Sequence, residues 1–246
     1  MHASRRRVLA MRCLIACCVL MRLASEARAQ DDAGYINAGV SFPHQAEPAP
    51  ELTRPPFSAP GGSSVGWLVG AGVFVSPGLS IEGELSRTGA MASEQEGRGF
   101  VEKGERRDWF VSVGLKGHVK LGSALTVEPV GGIVFVRGDV TFEGFQFQTT
   151  RLSGGQAVTE LVPTGNGYVE LDWHPGLMFG VDVRIGGQRL AVVPGVRFAF
   201  TGIPDGSTCV IGFRGDAICS ESGKPYFPRF YPRWTQRPSV ALAVNF

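Results

Sequence analysis

The side chains able to do acid–base, nucleophilic or metal chemistry are few and scattered in this sequence. Past residue 29 the histidines are His44, His118 and His174, and no Ser or Cys stands at a recognisable nucleophile spacing. His174 follows Asp172 by two, which would place an imidazole and a carboxylate on one face of a strand. Ordinary strand parity produces the same spacing. No metal-ligand cluster, phosphate-cradling glycine loop or nucleotide signature occurs, so no cofactor is expected. The segment KPYFPRFYPRW (Lys224 to Trp234) interleaves Lys224, Arg229 and Arg233 with aromatic residues. Guanidinium groups hold phosphates through forked hydrogen bonds, and aromatic packing is the plainer use of such a stretch.

The elements that must position these residues begin after a leader. Arg5, Arg6 and Arg7 precede an apolar run of nine residues, Cys13 to Met21, and Ala27-Arg28-Ala29 follows as a small-x-small cleavage pattern. The expected division is a signal peptide over 1–29 and one β domain over 30–246. The apolar run is too short to span a bilayer as a helix. A lipidated Cys17 within LIAC is the alternative reading of the leader. The leader carries six arginines and Glu26, so the remainder holds 18 basic and 21 acidic residues, net about −3. The apparent basicity thus belongs to the leader and gives no reason to expect a nucleic-acid partner. Three of the five cysteines leave with it. Cys209 and Cys219 remain, and in an exported chain two cysteines ten apart are expected to form one disulfide.

Eight runs alternate at period two: 34–42, 64–76, 79–87, 107–121, 125–137, 168–185, 189–202 and 234–246. Long connections alternate with tight turns such as Pro77-Gly78, so all long loops fall at one end. That layout fits an antiparallel up-and-down transmembrane barrel with four long extracellular loops and three short periplasmic turns. The apolar parity includes Trp67, Trp109, Trp173 and Trp234, all near the start of even-numbered runs and at similar height. Indole rings favour a membrane interface, so the four are expected to form an aromatic girdle. The opposite parity carries Glu82, Glu84, Lys116, Glu128, Asp182, Arg184, Arg197 and Arg237. An eight-stranded barrel has room inside for side chains alone, so these charges are expected to pair in a filled lumen. An ion or proton path along them is the functional alternative.

The last strand places Val240, Leu242, Val244 and Phe246 on one face and ends on the aromatic residue. It resembles the C-terminal signature of bacterial outer-membrane proteins, which the barrel-assembly machinery recognises. With the leader and the loop layout, the chain resembles the small OmpA, OmpW and opacity-protein barrels over essentially all of 30–246. The resemblance is architectural, since no motif selects one subfamily. It implies an all-β, eight-stranded barrel in the bacterial outer membrane, monomeric, with outer-membrane lipids, lipopolysaccharide and the assembly machinery as partners. The function expected is structural or interaction-based, through the long loops, with at most minor small-solute permeability. Catalysis is not expected. A lipid A-modifying enzyme and a soluble ligand-carrying barrel are the alternatives.

Overall fold

The computed structural model describes residues 33–45, 61–97, 100–151, 157–187, 189–202, 206–212, 217–223 and 233–246. The leader and nearly all of the 224–234 segment lie outside them. Eight strands make the wall: β1 Gly34–Ser41, β2 Gly66–Ser76, β3 Leu79–Arg87, β4 Phe100–Gly117, β5 Leu125–Arg151, β6 His174–Gly186, β7 Leu190–Thr201 and β8 Trp234–Asn245. Each pairs antiparallel with its neighbours in sequence order. The ring closes where β1 meets β8, from Tyr35↔Asn245 to Ser41↔Ser239. Closure gives every wall strand a partner on both sides, leaving no free edge around the ring.

Alternation along each strand sends one set of side chains outward and one inward. Ile36, Val69, Val113, Leu115, Ile133, Leu177 and Leu242 face outward and are exposed. The inward set is layered. Charged residues fill the end near the short turns, and Phe110, Val134, Val136, Met178 and Ala199 pack as an apolar layer above them. Gln45, Thr88, Arg106, Asp108 and Thr235 form a polar layer at the long-loop end. Glycine makes room in this interior where large groups cross it. A Cβ at Gly72 would run into the Tyr35 ring, and one at Gly195 into the Asp182 carboxylate.

All four segments expected as long connections contain some strand, the first only the two-residue pieces His44–Gln45 and Gly62–Ser63. β4 begins at Phe100 rather than Arg107 and pairs there with Met91–Gly97. β5 runs without a break for 27 residues, from Leu125 to Arg151, where the sequence places a long connection over 138–167 with only weak alternation continuing towards Phe147. Its outer half pairs on one side with β4 and on the other with the strand Ala157–Leu171, which in turn pairs with a hairpin, Gly206–Gly212 and Ala217–Gly223. One side of the barrel therefore continues beyond its rim as an open sheet of six strands. Met91, Val101, Val140 and Phe142 are buried there, but polar residues and glycines interrupt the period, so the hydrophobic alternation that marks the wall is weak.

The run expected over 168–185 is interrupted. Glu170 is opposite Asp139 and His174 is opposite Val136, so four steps along this run match three along β5. The extra residue is a β-bulge, and it reverses the parity. Tyr168 and Trp173 both face outward across it, although one lies at an even and one at an odd position. β4 also ends earlier than expected, at Gly117, because His118 leaves the ladder. The strand resumes only as Val119–Lys120, paired with Val127 and Thr126.

Candidate functional site

β3, β4, β5, β6, β7 and β8 bring all eight luminal charges into one connected cluster. Lys116, wholly buried, lies 2.5 Å from Glu82 Oε2, 2.8 Å from Asp182 Oδ2 and 3.7 Å from Glu128 Oε2. Arg197 spans three carboxylates: Nη2 lies 2.6 Å from Glu82 Oε1 and 2.8 Å from Asp182 Oδ2, and Nη1 lies 2.6 Å from Glu84 Oε2. Arg184 Nε donates to Glu128 Oε1 at 2.6 Å, and its Nη1 donates to Asn245 Oδ1 at 2.9 Å. Arg237 Nη1 reaches Glu84 Oε1 at 3.0 Å and Ser86 Oγ at 2.5 Å, with its guanidinium 4.4 Å from the Phe110 ring centre. Four cations thus meet four carboxylates, and buried charge is tolerable only when balanced and hydrogen-bonded in this way.

Several partners escape a reading of the sequence. Tyr35 OH donates to Glu82 Oε2 at 2.7 Å, and its ring lies 5.1 Å from the Arg184 guanidinium carbon. At the long-loop end Arg106 Nε lies 2.8 Å from Asp108 Oδ1, and Gln45 Nε2 donates to Asp108 Oδ2 at 2.6 Å. Strand parity is the available signal for Tyr35 and Asp108. Arg106 and Gln45 lie in segments whose pattern predicts loop, where parity assigns nothing.

One chain of contacts resembles a catalytic relay. Ser80 Oγ is 2.8 Å from His118 Nε2, and His118 Nδ1 is 3.0 Å from Glu128 Oε1. A serine, an imidazole and a carboxylate in that order have the connectivity of a nucleophile, its base and an orienting acid. The surroundings are those of a packing contact. Ser80 is wholly buried and its Oγ also lies 3.3 Å from Tyr35 OH. Glu128 is shared with Arg184 and Lys116. The other histidines do less: His174 Nδ1 lies 3.1 Å from the main-chain oxygen of Asp172, not from its carboxylate, and His44 Nδ1 lies 2.9 Å from Ser63 Oγ.

The four tryptophans are on the outer face. Trp67, Trp173 and Trp234 are exposed, and Trp109 is half-buried beneath Arg87. Trp67 and Trp109 meet edge to face at 5.6 Å, while Trp234 packs against Phe200 at 4.8 Å and Phe179 at 5.8 Å. Val240, Leu242, Val244 and Phe246 also face outward. The Phe246 main chain exchanges two 3.0 Å hydrogen bonds with that of Gly34, which ties the chain end to β1. Cys209 and Cys219 are direct register partners across their hairpin.

No family model matches the chain, and no curated protein matches it either. Solved structures do resemble it in fold. Neisserial surface protein A superposes with a TM-score of 0.52 at 10% identity, over 87% of this chain and 97% of that one. A major outer membrane protein from Thermus thermophilus gives 0.55 at 14% identity, over 87% of this chain and 100% of the other. At such identities the likeness concerns architecture alone. The closed ring of eight antiparallel strands is the fold of the small outer-membrane barrel proteins.

Proposed function

We propose that this chain is exported with its leader removed and acts in the bacterial outer membrane as a structural and interaction barrel. It would be a monomer that holds a β-sheet above the lipid surface. The carrying observation is the combination of an apolar outer wall with a lumen closed by balanced ion pairs. A soluble carrier would expose that whole band to water, an apolar surface far larger than soluble monomers present. Lipid contact at the tryptophan rows and recognition of the β8 end by the assembly machinery belong to the same reading. Its test is detergent fractionation of envelopes combined with planar-bilayer recording. The protein is expected in the outer-membrane fraction with little or no conductance, and large stable channels from purified monomer would refute the closed lumen.

A second reading, a lipid-modifying hydrolase, has the Ser80–His118–Glu128 chain in its favour. Burial of the hydroxyl argues against it, since a substrate carbonyl must reach the nucleophile. A fluorophosphonate probe is therefore expected to leave the folded protein unlabelled. Covalent labelling at Ser80, lost in Ser80→Ala, would establish the hydrolase instead.

The hairpin beyond the rim is proposed to carry a disulfide. Directly opposed antiparallel residues have Cα atoms about 4.5–5.5 Å apart, inside the range of about 4.4–6.8 Å that a disulfide requires. Alkylation of envelope-derived protein before and after reduction is expected to label Cys209 and Cys219 only after reduction. Because the bond lies outside the wall, Cys209→Ser with Cys219→Ser should leave a heat-modifiable barrel while opening the hairpin to protease.

A further inference from the structure

A second site lies on the outer wall, away from the luminal cluster. Across β2, β3, β4 and β5 one register row reads Trp67↔Arg87↔Trp109↔Arg137. The Arg87 guanidinium carbon sits 4.9 Å from the Trp109 ring centre, and Trp67 stands edge-on to Trp109 beside it. The other arginines nearby are engaged. Arg137 Nη2 lies 2.5 Å from Glu170 and 3.9 Å from Asp139, and Arg107 pairs with Glu105. Among the described residues Arg87 has no ion pair, and its buried Nε finds no hydrogen-bond partner. A cation held on an indole and lacking a counter-charge calls for an anion from outside the chain.

The rows below this one supply a place for a hydrocarbon tail. One step towards the short turns the outward residues are Val69, Leu85 and Val111, all exposed. The next row is Ala71↔Gly83↔Val113, where the missing Gly83 side chain leaves a shallow trough beside Ala71. A Cβ at Gly83 would meet nothing closer than the Ser112 oxygen at 3.9 Å, so the trough is open on the outer side. Val73, Ile81 and Leu115 follow. A cation above an apolar track is the complement of a lipid with an anionic head.

We propose that Arg87, seated on Trp109, binds the phosphate of a membrane lipid whose acyl chain lies along the Ala71–Gly83 trough. The site rests on the outer-membrane reading and adds a specific head-group chemistry to it. A free phosphate could satisfy the guanidinium but would leave the apolar track unused, which is why the lipid is the occupant.

The test is native mass spectrometry of the full chain, refolded in detergent and offered phosphatidic acid or diacylglycerol with identical chains. Wild type is expected to retain phosphatidic acid about tenfold better than diacylglycerol, the effect of one charge-assisted contact. Arg87→Gln should abolish that preference and Arg87→Lys should keep part of it. Gly83→Val, which fills the trough without touching charge, should weaken retention of both lipids. Lys120→Gln, exposed at the opposite end, should behave as wild type. Undiminished phosphatidic acid retention by Arg87→Gln would overturn the proposal, as would complete displacement of the lipid by an equal concentration of inorganic phosphate. Insertion of each protein into vesicles is scored in parallel. A chain that does not insert refutes the outer-membrane reading, whereas a chain that inserts and ignores the head group refutes only this site.

Discussion

Lys116→Met is expected to destabilise the folded barrel by about 3–5 kcal/mol, the cost of leaving buried charge without its partner. Lys116 is the cation shared by Glu82, Asp182 and Glu128, and all four side chains are buried. Methionine fills much of the same volume, so the loss would come from charge rather than from a cavity. Arg197 remains to hold Glu82 and Asp182, yet it is already committed to Glu84 as well. Four carboxylates would then face three cations. Adding Asp182→Asn restores the balance while keeping an oxygen that can accept from Arg197. The double variant is therefore expected to be more stable than Lys116→Met alone. Urea titrations in lipid vesicles, followed by tryptophan fluorescence, measure both effects. Equal stability of wild type and Lys116→Met, or strictly additive losses in the double variant, would refute a network held by charge balance.

How much of this cluster is legible in the sequence follows from where period two survives. Glu82, Glu84, Lys116, Glu128, Asp182, Arg184, Arg197 and Arg237 all sit on wall strands whose other face is apolar, so the alternation assigns them inward. The pairing partners are not legible, because register across non-neighbouring strands depends on how the ring closes. Arg197 on β7 reaching Glu82 on β3 is one example. By parity His118 is an ordinary inward residue, whereas it leaves the ladder and bridges Ser80 to Glu128. The bulge before His174 is hidden because its extra residue still permits apolar alternation on each side. The strands beyond the rim are faint for a different reason. Val140 and Phe142 are buried and alternate there with Thr141 and Glu143, but the pattern is short and broken by Gly138 and Gly144, so it does not stand out from a loop. Arg87 draws no notice in sequence because parity puts it outward, where a charge has no expected partner within the chain.

Val113→Arg is expected to weaken folding into a bilayer by about 2–4 kcal/mol if its row lies near the midplane. Val113 is 52% exposed on the outer wall, in the row with Gly83 and Ile133, four residues along β4 from Trp109. Its neighbour Ser112 looks from sequence alone like the mild control, since a luminal position can take a polar side chain. The structure removes that contrast: Ser112 is 3% exposed, and an arginine there has no space to occupy. The sound control changes depth and keeps the face. Val119 is also 52% exposed and outward, but it sits past the His118 break at the short-turn end. Charged groups near the interface cost only about 0–1 kcal/mol, because a long side chain can reach the head groups. Val119→Arg should therefore fold into vesicles almost as wild type does, while Val113→Arg lags. Folding titrations in vesicles and in detergent micelles separate the depth effect from packing. A micelle adapts around an arginine more readily than a bilayer, so the deficit of Val113→Arg should shrink there. Equal penalties at positions 113 and 119 in vesicles would contradict the placement of the apolar wall in lipid.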